Sequence, residues 1–284
     1  MGHPPRGRSL TAGSDPIAPA GLDAVIVLLR HGESTAIVEG RFQGRSDVPL
    51  SPVGRRQAEL AAARLARPRA TPALPVPVGA PVEIVHSPLA RAATTAELVA
   101  DAAARPDAFG RSIPRRADEG FAEIGQGEWE GLLGAEIAER WSDVLEAWRR
   151  APLEAHAPGG ESIRDVEGRV RPALARLLGA MADRAPGAPR SDRRVPGYGD
   201  SLTDEPWTIL VGHDGVFKVA VLTLLGLPLE RFWTLPFALC GISIVELRNG
   251  RPTLRAHNLT EHLAPLLEER AVAVSVERER TGAL

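Results

Sequence analysis

The chain of 284 residues contains a single cysteine, Cys240. One cysteine excludes an intrachain disulfide and any metal cluster built from several thiolates, and it fits a reducing compartment. No apolar run is long enough to span a bilayer. The first twenty residues are rich in Pro, Gly, Ser and Arg and lack the apolar core of a signal peptide. We therefore expect a cytoplasmic protein without membrane attachment.

A strong charge of either sign is also missing. The formal net charge is −2, from 34 basic and 36 acidic residues, and Lys218 is the only lysine. A protein that binds nucleic acid or an acidic membrane usually carries a basic surface. Neither partner is expected here. The 44% hydrophobic and 25% charged residues are ordinary for a soluble globular protein.

A short apolar run, Val25–Leu29, leads directly into the polar sequence Arg30–Glu33. Its β-branched residues predict a buried strand. Ligands of open α/β sheets bind at the carboxyl ends of strands. An arginine and a histidine at such an end suit an oxyanion, of which phosphate is the commonest.

The remaining pattern alternates strands with helices, which indicates an α/β fold. Two of the predicted helices begin with Ser-Pro, where serine is the expected N-cap and proline the first helical residue. Asn249-Gly250 predicts a hairpin turn near the C-terminus, and its strands are candidates for edge pairing in a homodimer. The predicted strands are 23–29, 82–86, 207–211, 242–247 and 253–256, and the main predicted helices are 51–66, 87–104, 162–183 and 215–225.

Composition also suggests domain limits. Residues 1–22 and 267–284 are expected to be flexible tails around a single domain at 23–266. Within the domain, residues 124–160 carry short helical patterns at 135–141 and 144–149 and are interpreted as a cap. Residues 184–205 are rich in Pro, Gly, Asp and Arg, and we expect a mobile loop.

Three predicted strands end in polar groups, which are Arg30-His31, His86-Ser87 and His213. Arg91 follows one helical turn after the second strand. Two guanidinium groups would neutralise and orient a phosphoester. They would also lower the pKa of a nearby imidazole. A neutral histidine can then attack phosphorus.

The departing alkoxide needs a proton, so a carboxylic acid is expected opposite the nucleophile. Glu123 is the best candidate for this acid. Glu119, Glu128 and Glu130 are alternatives in the same stretch.

Taken together, these motifs resemble the histidine phosphatase superfamily, the phosphoglycerate-mutase-like proteins, and its phosphatase branch in particular. Four separated motifs carry the resemblance, and they stand in the order of the family. They are Arg30–Glu33, Ser87–Ala96, Glu123–Gly131 and Gly212-His213. Softer matches lie at 42–44, 50–54 and 158–162.

The resemblance implies a three-layer α/β/α sandwich with a mostly parallel central sheet and a helical cap inserted over the active site. It implies that His31 is the phosphorylated nucleophile, that Glu123 is the acid and base, and that His213 stabilises the transition state. It implies neither metal nor cofactor, a small phosphorylated metabolite as substrate and inorganic phosphate as product. It implies that Arg30, Arg91 and His213 bind the phosphoryl group, and Ser34, Gln43 and Gly44 are further candidates for phosphate binding.

Three positions depart from the family pattern. Ile37 stands where many relatives have a phosphate-binding Asn, Asp214 where many have Gly, and Lys218 where many have Arg. The acidic side chain of Asp214 is expected to raise the pKa of His213 or to repel an anion. A cofactor-dependent phosphoglycerate mutase and a weakly active phosphate-binding relative stay open as alternatives.

The substrate is not specified by these motifs. We expect specificity to reside in the loop 31–50 and in the cap. Arg41, Arg45, Arg149 and Arg150 are candidates for binding an acidic substrate tail, although they are equally consistent with solvated surface arginines.

Overall fold

The computed structural model describes residues 17–185, 204–267 and 269. Its strands are β1 (Ala24–Arg30), β2 (Glu83–His86), β3 (Arg115–Ala117), β4 (Trp207–Gly212), β5 (Ile242–Arg248) and β6 (Arg251–Leu259). Its helices are α1 (Thr35–Val38), α2 (Pro52–Ala66), α3 (Ala90–Ala104), α4 (Gly134–Arg150), α5 (Ile163–Ala182) and α6 (Asp214–Leu225). Short 3₁₀ helices occur at Glu119–Phe121, Gly127–Trp129, Leu229–Thr234 and Glu261–Leu263.

The six strands form one sheet in the order β3-β2-β4-β1-β5-β6. The first four strands are parallel, whereas β5 runs antiparallel to β1 and β6 antiparallel to β5. This confirms the mostly parallel sheet. The edge strand β3 was not predicted, because its residues Arg115, Arg116 and Ala117 form no apolar run and are largely exposed.

Alternate residues of β1 pack on opposite sides of the sheet. Val25, Val27 and Leu29 contact the layer that contains α2 and α3. Ile26 and Leu28 contact the opposite layer, which contains α5, α6 and the buried face of α4. The chain therefore forms the expected three layers, and β1 is apolar throughout because it is covered on both faces.

One of the two predicted Ser-Pro helix starts is confirmed. Ser51 accepts a hydrogen bond from the N–H of Gly54 at 2.9 Å and caps α2. Ser162, for which no cap was predicted, caps α5. The other Ser-Pro expectation is wrong, because α3 begins at Ala90 and Ser87 is not its cap. The hydroxyl of Ser87 lies 2.7 Å from Nε2 of His213 instead.

The cap is helical, as predicted. Its two predicted helical stretches form one helix, α4, interrupted at Trp141, whose φ of −139° and ψ of 43° are not helical. The interruption explains why the sequence shows two short patterns. Ile137, Leu145 and Trp148 form the buried side of α4.

At the N-terminus, residues 1–16 of the predicted tail lie outside the described residues, whereas Ile17, Ala18 and Leu22 pack against the core. The packed chain therefore begins before Asp23. Of the predicted mobile loop at 184–205, residues 186–203 lie outside the described residues, as does nearly all of the predicted C-terminal tail.

The predicted hairpin turn is present. Asn249 and Gly250 have φ values of 50° and 73°, and positive φ at both central residues is typical of a type I′ turn. Among the described residues, no helix is both long and apolar enough to cross a membrane.

Candidate active site

The carboxyl ends of three neighbouring strands bring the predicted residues together. Arg30 is paired with Gly212 across β1 and β4, and the N–H of His31 donates to the carbonyl of Gly212 at 2.9 Å. The next residue on each strand is a histidine. The ring centroids of His31 and His213 are 4.9 Å apart, in an edge-to-face arrangement.

His31 is buried and holds a defined tautomer. Its Nδ1 lies 2.6 Å from the carbonyl oxygen of Gly32. A carbonyl can only accept, so Nδ1 carries the proton and Nε2 carries the lone pair. Burial, and then the positive charges of Arg91 and Arg30, hold the pKa of His31 well below its usual 6.5, although the Gly32 bond opposes them. The imidazole is therefore neutral at physiological pH.

Gly32 allows a close backbone approach within the chain. A Cβ at this position would lie 2.1 Å from the carbonyl oxygen of Gly54. Only glycine therefore fits between the turn that carries His31 and the start of α2.

His213 is the N-cap residue of α6 and is fully buried. Burial is the main cause that lowers its pKa well below 6.5, and His31, Arg91 and Arg30 contribute further. The expectation that Asp214 raises the pKa of His213 is wrong. The carboxylate of Asp214 is engaged elsewhere, by Nζ of Lys218 at 2.5 Å and by the N–H of Phe237 at 3.1 Å.

Two arginines are held at the site by backbone carbonyls. Arg91 is fully buried and donates to the carbonyl oxygens of Ser46 and Gly44 at 2.8 and 2.7 Å. Arg30 donates to the carbonyl oxygen of Phe237 at 2.5 Å. The Nε atoms of both arginines are buried and have no hydrogen-bond partner among the described residues. These N–H groups are suitable donors for an oxyanion.

Glu123 lies at the N-terminus of α6. Its Oε1 accepts the N–H groups of Ile124 and Val216 at 2.9 Å each, and its Oε2 accepts that of Gly215 at 3.2 Å. Its charge also acts on Arg91, where it opposes the effect of burial on the pKa. The carboxylate thus lies close enough to Arg91 for the two charges to interact.

The other candidate acids are placed differently. Glu119 and Glu128 are exposed. Glu130 accepts the N–H groups of Arg45 and Gln126 and the hydroxyl of Ser46, so it holds the loop that contacts Arg91.

Ser34, Gln43 and Gly44 belong to the same loop. The hydroxyl of Ser34 donates to Oε1 of Gln43 at 2.8 Å and accepts the N–H of Ile37 at 3.3 Å, so that it caps α1. The carbonyl of Gly44 holds Arg91. These contacts order the loop, and a direct phosphate contact from the three residues stays a prediction.

Sequence reasoning missed Arg169 on α5. Its guanidinium donates to the carbonyl oxygens of Gly120, Ala122 and Glu123 at 2.8–3.0 Å and binds both carboxylate oxygens of Glu161 at 2.9 Å. Burial acts to raise the pKa of Glu161, but the hydrogen bonds from Arg169 and from Gly125 lower it.

This pair fixes the backbone that carries Glu123. The signal available in the sequence was the motif at 158–162, which contains Glu161. Nothing in the α5 pattern distinguished Arg169.

The chain belongs to the histidine phosphatase superfamily (branch 1), whose family profile matches residues 26–185 and 192–260. Glucosyl-3-phosphoglycerate phosphatase of Mycolicibacterium vanbaalenii is 31% identical over 223 residues, which cover 78% of this chain and 83% of the relative. Phosphoserine phosphatase 1 of Hydrogenobacter thermophilus is 24% identical over 253 residues, covering 88% and 99%.

Solved structures of similar proteins agree with this family assignment. Mycobacterial hydrolase 2 superposes with a TM-score of 0.68 at 26% identity and covers 89% of this chain and 97% of its own. A mycobacterial glucosyl-3-phosphoglycerate phosphatase in complex with VO3 superposes with a TM-score of 0.62 at 26% identity, covering 82% and 98%. The family and these relatives identify the chain as a phosphatase of the histidine phosphatase type.

Proposed function

We propose that the chain hydrolyses monoesters of small phosphorylated metabolites through a phosphohistidine on His31. The observation that carries the proposal is the state of this imidazole. It is buried and neutral, its proton is fixed on Nδ1 by Gly32, and two arginines lie close enough to lower its pKa. Such a histidine presents a nucleophilic lone pair where an anion is bound.

In the first step, Nε2 of His31 attacks phosphorus and the bond from phosphorus to the ester oxygen breaks. Arg30 and Arg91 neutralise the charge on the phosphoryl oxygens, and His213 donates a further hydrogen bond. Gln43, Ser34 and Gly44 are proposed to complete the phosphate contacts. The leaving oxygen takes a proton from the carboxylic acid of Glu123.

In the second step, water attacks the phosphohistidine and the bond from phosphorus to nitrogen breaks. Glu123 is now a carboxylate and accepts the proton that water loses, so the enzyme returns to its starting state with phosphate as the product. The N–H groups of Ile124, Gly215 and Val216 are the donors that hold this carboxylate. No step requires a metal ion, because the guanidinium groups stabilise the charge.

The test is phosphate release from p-nitrophenyl phosphate with EDTA present, comparing the wild type with His31→Ala. Turnover that persists in EDTA and disappears in the variant is expected. His86→Gln is the matched control, because His86 also ends a buried strand but has no role in the proposed reaction. Its variant is expected to retain turnover.

Protein denatured in base during turnover is expected to carry a phosphoryl group that is stable in base, labile in acid and absent from His31→Ala. Turnover in His31→Ala would refute the mechanism. Dependence of the wild type on 2,3-bisphosphoglycerate would favour a mutase instead. Vanadate binding without turnover would favour a binding protein.

A further inference from the structure

A cavity of about 260 Å³ opens beside Glu123, between α4, the start of α6 and the 3₁₀ helix Leu229–Thr234. Four aromatic side chains line it, those of Phe42, Trp148, Phe232 and Trp233. Apolar cavities of about 150 Å³ accept a benzene ring. This cavity therefore has room for a substituted ring or another flat organic group.

The cavity has one pair of opposite charges that is already compensated. Asp214 lines it, and its carboxylate binds Nζ of Lys218 at 2.5 Å. The same ammonium lies 4.8 Å from the ring centroid of Trp233 and 5.1 Å from that of Phe232. Lys218 is 5% exposed, and its charge is consequently not available to a ligand.

Arg149 is different. It also lines the cavity, it is exposed, and it forms no salt bridge or hydrogen bond among the described residues. Arg41, Arg45 and Arg150, the other candidates for an acidic substrate tail, each form a salt bridge with a glutamate, at 3.1, 2.9 and 3.8 Å. Among the described residues that line the cavity, the free positive charge is thus that of Arg149.

We propose that the organic half of the substrate occupies this cavity and that Arg149 selects esters in which that half carries a carboxylate. This inference rests on the proposed function, because it places the leaving oxygen next to Glu123. The apolar face of the leaving group packs on Trp148 and Trp233, and its carboxylate pairs with Arg149. The substrate class is a phosphate monoester of an acidic alcohol or phenol with a flat apolar face.

Two substrates of equal size test the proposal, 4-carboxyphenyl phosphate and its neutral amide, 4-carbamoylphenyl phosphate. The wild type is expected to prefer the carboxylate in kcat/KM by about fivefold, the upper range for a solvent-exposed charge pair. In Arg149→Gln the preference disappears through a higher KM for the carboxylate alone. Arg150→Gln, which changes the neighbouring exposed arginine on the same helix, retains the preference.

The inhibition constant of inorganic phosphate is measured in parallel and is expected to be unchanged in Arg149→Gln, because that residue does not contact the phosphoryl group. Equal use of both substrates by the wild type, or a preference that survives in Arg149→Gln, would overturn the inference while hydrolysis itself upheld the phosphatase. If neither substrate nor p-nitrophenyl phosphate were hydrolysed, the proposed function would fail first.

Discussion

The Asp214–Lys218 pair is predicted to support both the stability of the protein and the position of Arg30. Asp214 accepts a hydrogen bond from the N–H of Phe237 at 3.1 Å, and the carbonyl of the same Phe237 accepts from Arg30 at 2.5 Å. The carboxylate therefore anchors the residue whose carbonyl oxygen orients the guanidinium. Lys218 in turn depends on Asp214, because its side chain is only 6% exposed.

The loss of stability expected on removing Asp214 follows from the burial of Lys218. Removing one partner of a buried ion pair costs about 3–5 kcal/mol, since the remaining charge is left uncompensated. Asp214 is 29% exposed, and water partly replaces it, so we expect about 3 kcal/mol for Asp214→Asn. The double variant Asp214→Asn with Lys218→Met removes both charges and is expected to recover most of that loss.

Measurements of activity distinguish the two roles of Asp214, which are pairing with Lys218 and accepting the N–H of Phe237. The amide of Asn still accepts the N–H of Phe237, whereas alanine does not. Asp214→Asn is therefore expected to keep most of the wild-type kcat/KM, and Asp214→Ala to lower it while losing at least as much stability. Urea unfolding and p-nitrophenyl phosphate turnover measure both quantities. A fully stable Asp214→Asn, or equal activity of the two variants, would refute the reasoning.

Two further predictions concern the histidines and the close glycine contact. The low pKa values of His31 and His213 mean that the unfolded chain binds protons below pH 6.5 that the folded chain does not. The free energy of unfolding should then fall as the pH decreases below 6.5. His31→Gln and His213→Gln should each reduce the slope of this free energy against pH by about 1.4 kcal/mol per pH unit. Slopes identical to that of the wild type would contradict this prediction. Gly32→Ala should destabilise the fold by about 1–3 kcal/mol or more in urea unfolding, because its Cβ would meet backbone at 2.1 Å, whereas Gly79→Ala, with open space around it, should not.

Much of the fold was predictable because local sequence patterns indicate its strands and helices. Continuous apolar runs predict β1 and β4, which are buried on both faces. The Ser-Pro pair at Ser51 predicts the start of α2. Strand β3 was not predictable in this way, since its polar residues join the sheet through backbone hydrogen bonds that leave no trace in side-chain identity.

The candidate site was predictable for a different reason. Histidines and arginines that directly follow buried strands must meet at one sheet edge once the strands are parallel neighbours. That reasoning placed His31 and His213 correctly relative to one another. It misread Ser87, because a Ser-Pro pair predicts a helix cap equally well when the hydroxyl is committed to a histidine in another part of the chain.

The acceptors that hold the arginines explain both the chemistry and the limit of sequence reasoning. Arg30 and Arg91 bind carbonyl oxygens of Phe237, Gly44 and Ser46, and neither forms a salt bridge within the described part of the chain. A carboxylate partner would orient a guanidinium but cancel its charge, whereas a carbonyl orients it and leaves the charge for an anion. Because every residue has a backbone carbonyl, no pattern of side chains predicts such a partner. It is identified only from the folded structure.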